Sequence, residues 1–204
     1  FTSHKKLLQG DNSLPLEAWL LPNPLDKNTN IEEAVSIRAI QKNYQSLSQT
    51  QDILSPKDIY QIARAEKEGN AEAAKIAYRK FGQALGAAFC TFTSLFDGLI
   101  VIGGGLSGAY KLFMPSTLEY MRGNYQNNTP RLVQKIYDLE DSNEKEAFMT
   151  GKEKRIPVPG SNAEILYSSE ARSGICLSRL GTSEAIAKGA YFYALSQLQK
   201  LSVP

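Results

Sequence analysis

A glycine-rich turn that follows an apolar run is the part of this sequence best suited to chemistry. Residues 99–102 are apolar and mostly β-branched, and Gly103, Gly104, Gly105 and Leu106 follow them. Glycine permits positive φ and close approach of a ligand. A helix that starts after such a turn presents free backbone N–H groups to an anion. The pattern predicts a nucleotide or phosphate site at the carboxyl edge of a sheet, and a tight turn without a ligand remains the alternative.

Two carboxylates and one histidine are the other candidates for a site. Glu32 and Glu33 lie at a predicted helix amino terminus, where they either compensate the helix dipole or accept hydrogen bonds from a polyhydroxylated ligand. His4 is the sole histidine, and a polar terminal loop usually leaves such a side chain in solvent. The sequence offers no arrangement of the Ser-His-Asp or Cys-His kind.

Composition excludes several classes of protein. The net charge of +2 comes from basic residues scattered among acidic ones, which disfavours nucleic-acid binding through this segment. The apolar stretch 99–105 is too short to span a bilayer, and no signal peptide is visible. Cys90 and Cys176 form neither a disulfide framework nor a zinc site. We therefore expect a cytoplasmic location, and the absence of an initial Met leads us to expect further chain upstream.

The order of predicted elements is typical of an α/β fold. Residues 1–30 are rich in turn residues and form a loop-rich lead-in, and 128–172 is expected to be an irregular insertion. The strand at 99–102 is predicted to be buried on both faces. The predicted helices cover about 31–44, 55–69, 71–96, 107–122 and 183–200, and the predicted strands cover 99–102 and 175–177.

Two predicted helices carry packing signals. Gly82 and Gly86 lie four residues apart inside the long helix, where each weakens the helix by about 1 kcal/mol relative to Ala. The expected compensation is close approach of another backbone or of a ligand. The closing helix is expected to pack through apolar residues that include Ile186, Phe192 and Leu198.

Five segments of the sequence resemble the sugar kinases of the ROK family (repressor, open reading frame, kinase), within the hexokinase and actin-like ATPase superfamily. Residues 31–36 are similar to the family's Glu-x-x-x-Ser helix start, and 55–69, with Ala-Arg-Ala, to a later helix. Residues 81–88 resemble the glycine-marked helix before the last core strand. Residues 99–107 resemble the strand and glycine turn near the adenosine, and 181–194 the closing helix.

The resemblance implies a ribonuclease H-like fold: a helix-rich carboxy-terminal lobe with a small mixed sheet, formed by 1–204 as one lobe. It assigns Glu32 to sugar hydroxyls and places Gly103, Gly104, Gly105 and Leu106 beside ATP, with Mg²⁺ as cofactor. His4 matches a sugar-binding histidine. The residues around it depart from the family pattern, however, since Phe1 and Ser3 replace Glu and Gly. The cysteine-rich zinc motif is absent and Asn30 stands where a Cys often lies, so we do not expect zinc.

The resemblance also implies what the chain lacks. The amino-terminal phosphate loop and the catalytic aspartate of the family are not in this sequence, so the chain by itself is not expected to be a competent kinase. We expect a missing amino-terminal lobe, a hexose or related sugar as substrate and a homo-oligomer. Two alternatives remain: a sugar-sensing transcriptional repressor of the same family, and a non-catalytic sugar-binding or oligomerisation module.

Overall fold

The computed structural model describes the backbone of residues 2–3, 6–8, 10–12 and 17–201, and the side chains of residues 2, 7–8, 10–12 and 17–198. His4 and Phe1 lie outside the described residues. Helices alternate with short strands, which confirms the predicted helix-rich α/β class. The helices are α1 (Ile37–Ser48), α2 (Pro56–Ala63), α3 (Ala71–Phe96), α4 (Tyr110–Arg122), α5 (Ser142–Thr150) and α6 (Thr182–Leu201). The strands are β1 (Thr2–Ser3), β2 (Lys6–Leu7), β3 (Ile100–Ile102), β4 (Lys135–Asp138), β5 (Glu153–Pro157), β6 (Glu164–Ser168) and β7 (Arg172–Leu177).

Helix α3 is the centre of the core and has the bounds that the sequence predicts. The side chain of Asn70 caps its first turn by accepting a hydrogen bond from the N–H of Ala73 at 3.0 Å, and Asp97 ends the helix in the left-handed conformation. Helices α1, α2 and α4 pack around it. The buried side chains of this core are mainly alanine, isoleucine and aromatic residues, and they pack closely between the helices.

The two glycines inside α3 mark its contact with α4. A Cβ added to Gly82 would lie 2.2 Å from the carbonyl oxygen of Phe113, and one added to Gly86 would lie 2.8 Å from that of Thr117. The hydroxyl of Thr117 donates to the carbonyl of Gly82 at 3.0 Å. Of the two expected causes, the close approach of a backbone is therefore the one that the structure shows.

Helices α1 and α2 begin at capping residues, but their bounds differ from the prediction. Ser36 caps α1 by accepting a hydrogen bond from the N–H of Ala39 at 3.1 Å, so the α-helix starts at Ile37 and not at residue 31. Ser55 and Asp58 form the capping box of α2. That helix ends at Ala63 instead of continuing to residue 69, because Ala65 has a left-handed φ of 58°.

The core sheet has three parallel strands in the order β3-β7-β4. Ile102 pairs with Leu177, and Asp138 pairs with Ile175. Strand β3 forms one edge, and the side chain of Val101 is 61% exposed. The prediction that this strand is buried on both faces is therefore wrong for the chain as described, because no described element covers the face that carries Val101.

The segment 128–172, for which we expected irregular structure, contains regular elements. Strand β4 joins the core sheet, helix α5 follows it, and β5 and β6 form an antiparallel hairpin. The ring of Tyr137 on β4 contacts that of Phe148 on α5, with the centroids 5.7 Å apart. That this segment is an insertion stays a prediction.

Helix α6 leaves most of its apolar surface uncovered. Side chains that we expected to pack, among them Ile186, Phe192 and Leu198, are more than 60% exposed. The expectation that they pack within this chain is wrong, because no described element covers them. A helix that is apolar over most of its surface is normally buried in a larger protein.

Candidate functional site

The three parallel strands end at one edge of the sheet, and the glycine turn lies there. The N–H of Ser178, just after β7, donates to the carbonyl of Ile102 at 2.8 Å. This bond holds the end of β7 beside the start of the turn. A Cβ added to Gly103 would lie 3.5 Å from the Cβ of Ser178, an ordinary contact distance. The structure thus brings Gly103, Gly104, Gly105 and Leu106 to the carboxyl edge of a parallel sheet, where α/β proteins bind ligands.

Gly104 determines the shape of the turn. Its φ of 92° and ψ of 176° lie in a region that is open almost solely to glycine. Its carbonyl accepts hydrogen bonds from the hydroxyl of Ser107 at 2.7 Å and from the N–H of Ser107 at 3.1 Å. A 3-10 helix, Gly105–Ala109, comes before α4. The first backbone N–H groups of that 3-10 helix, on Gly105 and Leu106, have no acceptor within it.

Space remains open around the turn. A Cβ added to Gly104, Gly105 or Gly108 would meet no described atom within 4 Å. Packing within the described chain therefore does not require glycine at position 105. The side chain of Leu106 packs partly against the core, so its backbone N–H is the group that can face a ligand. The turn can accept a phosphate or nucleoside group through these N–H donors.

A group of polar side chains that sequence reasoning missed surrounds the ends of β7 and β4. The carboxylate of Glu140 accepts hydrogen bonds from the N–H of Leu177 and from the guanidinium of Arg179, each at 3.0 Å. The hydroxyl of Tyr110 donates to Asp138 at 2.7 Å. One signal was available, since Asp138 directly follows an apolar pair within 128–172, but that segment had no clear periodicity.

Burial and nearby charge raise the pKa values of Tyr110 and Cys176. Burial raises the pKa of Tyr110 far above its usual range, and the hydrogen bond to Asp138 raises it further. Tyr110 therefore remains a neutral donor at physiological pH. Burial also raises the pKa of the Cys176 thiol, with a smaller contribution from the charge of Glu140. These groups can position backbone and ligand, and they form no pair of nucleophile and general base.

Glu32 lies in a 3-10 helix (Ile31–Glu33) before α1 and makes no hydrogen bond with the glycine turn. Its half-buried carboxylate makes no hydrogen bond or ion pair with any residue that the structure describes. Glu33 differs, because it binds Arg38 and also Lys42, the latter at 2.9 Å. The hydrogen bonds from Lys42 and Arg38 hold the pKa of Glu33 below its usual range. Of the two neighbouring carboxylates, Glu32 is the one available to a ligand.

The loop before Glu32 is held by local hydrogen bonds. Asn23 is buried, and its side chain donates to the hydroxyl of Thr29 at 3.0 Å and accepts from the N–H of Leu25 at 2.9 Å. The N–H of Ile31 donates to the carbonyl of Leu21 at 2.7 Å. The side-chain oxygen of Asn30 is buried and has no partner among the described residues. The second predicted sugar-binding residue, His4, lies outside the described residues.

The described part of the chain contains neither a metal-binding cluster nor a membrane-spanning helix. No group of three or more His, Cys, Asp or Glu side chains there has the geometry to hold a metal ion. None of the described helices combines the length and the hydropathy needed to cross a bilayer.

Comparison with known proteins identifies the family. The ROK family profile matches residues 27–144, and this chain belongs to the ROK family. A glucokinase from Parabacteroides distasonis is 37% identical, with a TM-score of 0.88 over 94% of this chain and 53% of that chain. A proposed sugar kinase from Cytophaga hutchinsonii is 17% identical, with a TM-score of 0.57 over 93% of this chain and 52% of that chain. No curated protein matches.

These matches confirm the predicted fold class and the family resemblance. The chain has the fold of ROK sugar kinases, which are of the actin-like ATPase type. The chain spans about half the length of the glucokinase chain that it matches. The activity and substrates of the complete protein therefore do not follow from these matches alone.

Proposed function

We propose that this chain forms the carboxy-terminal lobe of an ATP-dependent sugar kinase that phosphorylates a hexose or related sugar. The observation that carries the proposal is the 37% identity, over 94% of this chain, to a protein crystallised as a glucokinase. The open glycine turn at the carboxyl edge of the sheet supports it, because a nucleotide can approach the backbone there.

In this proposal the nucleotide lies against Gly103, Gly104 and Gly105. The N–H groups of Gly105 and Leu106 donate to it, and the absence of side chains on the turn leaves the necessary space. ATP would bring Mg²⁺, which neutralises phosphate charge in phosphoryl transfer. The described residues contain no cluster that fits a metal ion, so we assign no residue of this chain to Mg²⁺.

Glu32 is the proposed sugar ligand. A carboxylate accepts hydrogen bonds from two sugar hydroxyls, and Glu32 has no competing partner among the described residues. Glu33, one position later, is already neutralised by Arg38 and Lys42. We retain His4 as a second proposed sugar ligand from the family resemblance.

The proposed kinase needs a second, amino-terminal lobe, and two surfaces of the chain support this. The outer edge of β3 has no strand paired to it among the described elements, and α6 exposes Tyr191 and Phe192 to solvent. A further lobe would cover such surfaces and supply the phosphate loop and the base that takes the proton from the sugar hydroxyl. No catalytic residue is assigned in this chain. A cytoplasmic location and assembly into a homo-oligomer belong to the same proposal.

A pair of neighbouring substitutions tests the sugar assignment in the complete polypeptide. Glu32→Gln should weaken hexose affinity at least about tenfold, because hydrogen bonds to a charged group contribute about 1.5–3 kcal/mol. Glu33→Gln is the matched control and should change hexose affinity less than about threefold. Calorimetric titration with hexoses measures the affinity of each variant, and a coupled assay of ADP release measures its kinase activity.

Two results would contradict the proposal. Unchanged hexose affinity in Glu32→Gln would remove Glu32 from the site. Hexose binding without any ADP release, in a protein that contains both lobes, would contradict the kinase activity. It would favour a non-catalytic sugar-binding module.

A further inference from the structure

The two strands beside β7 end at different heights. Strand β3 stays paired with β7 as far as Leu177, whereas β4 ends two residues earlier, at the pair of Asp138 and Ile175. The N–H of Ser178 donates to the carbonyl of Ile102 on β3 at 2.8 Å. Because successive N–H groups of a strand point to opposite neighbours, the N–H of Leu177 faces the side on which β4 has already ended.

The carboxylate of Glu140 takes the place of a strand carbonyl at this position. Its Oε1 accepts a hydrogen bond from the N–H of Leu177 at 3.0 Å and another from the guanidinium of Arg179, also at 3.0 Å. The side chain of Glu140 is 20% exposed, and a hydrogen bond to an ionised acceptor is stronger than one between neutral groups. Glu140 therefore binds the residues on both sides of Ser178, the residue that contacts the glycine turn.

The segment that carries Glu140 also contacts the helix that follows the glycine turn. The Oδ1 of Asp138 accepts hydrogen bonds from the N–H of Glu140 at 3.0 Å and from the hydroxyl of Tyr110 at 2.7 Å. Tyr110 is the first residue of α4, directly after the 3-10 helix that continues the turn. Residues 138–140 thus bind the end of β7 and the start of α4, two parts of the chain that border the glycine turn.

We propose that Glu140 is a positioning residue for the nucleotide site. It holds Ser178 and the end of β7 against the glycine turn, and so fixes the backbone to which ATP binds. This inference rests on the proposed function, since ATP is the ligand proposed for the turn. The charge of Glu140 would by itself repel the phosphates of ATP, so a loss of ATP affinity on removal of that charge has its cause in the backbone.

Glu144 provides a control with the same kinds of contact. Like Glu140, it accepts a hydrogen bond from a backbone N–H, that of Asp138 at 2.7 Å, and it pairs with an arginine, Arg122. Its side-chain hydrogen bonds with described residues involve neither β7 nor the glycine turn. Glu144→Ala therefore removes an equivalent pair of contacts and leaves those of Ser178 in place.

Calorimetric titration of the complete polypeptide with ATP tests the role of Glu140. Glu140→Ala should raise the dissociation constant for ATP at least about tenfold, and Glu144→Ala less than about threefold. Glu140→Gln should stay within about threefold of wild type, because its amide oxygen can still accept from Leu177. Glu140→Asp keeps the charge but withdraws the carboxylate by one methylene group, and it should lose at least about fivefold.

Two further measurements separate positioning from direct contact with ATP. In the unliganded polypeptide, hydrogen exchange of residues 177–181 should be at least about fivefold faster in Glu140→Ala and unchanged in Glu144→Ala. A residue that only touched ATP would not change this exchange. The coupled assay should show a higher KM for ATP in Glu140→Ala, with kcat and hexose affinity within about twofold of wild type.

Three results would overturn the inference. They are unchanged ATP affinity in Glu140→Ala, equal losses in Glu140→Ala and Glu144→Ala, and a larger loss in Glu140→Gln than in Glu140→Asp. The last comparison still decides if Glu140→Ala does not fold, because that order would make charge, and not position, the property that matters. A wild-type polypeptide that binds no ATP would contradict the proposed function together with the inference, whereas ATP binding that does not depend on Glu140 would contradict the inference alone.

Discussion

Two groups of glycines in this chain have opposite surroundings. A Cβ at Gly82, inside α3, would lie 2.2 Å from a backbone carbonyl oxygen of α4, whereas a Cβ at Gly105, after β3, would meet no described atom within 4 Å. The first glycine is required because two helices touch. The second lies where the chain leaves room. Glycine therefore occurs at a tight helix–helix contact in the core and beside open space at the sheet edge.

The contrast extends to the regions that contain these glycines. Helices α1 to α4 bury their own apolar side chains, including Tyr78 and Phe113, and form a core without help from other chains. The sheet edge, β3 and α6 expose groups that a partner or ligand would cover. Changes in the helical region should alter stability and leave nucleotide affinity unchanged. Changes that only fill the open space at the sheet edge should weaken nucleotide binding and leave stability nearly unchanged.

The largest expected effect is that of Gly82→Ala. The added methyl group overlaps the Phe113 carbonyl and disturbs the hydrogen bond from Thr117. Since both contacts involve backbone, relief requires a shift of α4, and we expect a loss of about 3 kcal/mol in the free energy of unfolding. The gain in helix propensity, about 1 kcal/mol, is too small to offset it. Urea unfolding followed by circular dichroism measures the difference.

Gly189→Ala on α6 is the matched control. Gly189 is also inside a helix, but an added Cβ there meets nothing within 4 Å. The substitution should therefore stabilise the chain by up to about 1 kcal/mol through helix propensity alone. Equal losses in the two variants would show that the α3–α4 contact is not the reason for glycine at position 82.

Local signals in the sequence predicted the helical region well. Asn70 and Asp97 mark the two ends of α3, and Ser55 with Pro56 marks the start of α2. These signals act within a few residues, so the sequence alone contains them. The end of α2 was misplaced because Ala65, a residue with no turn preference, adopts a left-handed φ.

Long-range contacts limited the prediction of the site. The glycine turn was found because a strand, three glycines and a helix are consecutive in the chain. Glu140 and Arg179 were missed because they are 39 residues apart and meet only when β7 lies beside β4. The burial of β3 and α6 was wrongly predicted because their apolar residues have no covering element in the described chain, although the sequence pattern is that of buried elements.

Substitutions at the two neighbouring glycines of the turn should distinguish an effect on backbone conformation from an effect on the approach of a ligand. Gly104→Ala places a side chain in a backbone region almost reserved for glycine and should cost about 1–3 kcal/mol of stability. Gly105→Ala should change stability by less than about 0.5 kcal/mol, because no described atom is displaced. It should nevertheless weaken ATP binding at least about tenfold if the nucleotide contacts this backbone.

Calorimetric titration with ATP and urea unfolding give the two quantities for each variant. Unchanged ATP affinity in Gly105→Ala would contradict the nucleotide assignment of the turn. It would also show that the open space there does not serve this ligand.

The smallest expected effect concerns the cap of α2, at the surface of the helical region. Asp58 binds Lys67 at 2.6 Å and Ser55 at 2.6 Å, and these hydrogen bonds lower its pKa to about 2. A carboxyl group whose pKa is lowered on folding stabilises the folded state above its unfolded pKa, near 3.9. The free energy of unfolding of wild type should exceed that of Asp58→Asn by a constant amount above about pH 5. This difference should decline as the pH falls toward about 2.

Urea unfolding of both proteins at pH 6, 4 and 3 measures this decline. Lys67→Met should reduce it, because the Lys67 hydrogen bond is the largest cause of the lowered pKa. ATP affinity at pH 7 should be equal in all three proteins, since the cap of α2 lies in the helical region and not at the sheet edge. A pH-independent difference between wild type and Asp58→Asn would mean that the capping geometry, and not the charge, stabilises α2. A loss of ATP affinity in Asp58→Asn would show that the two regions are coupled.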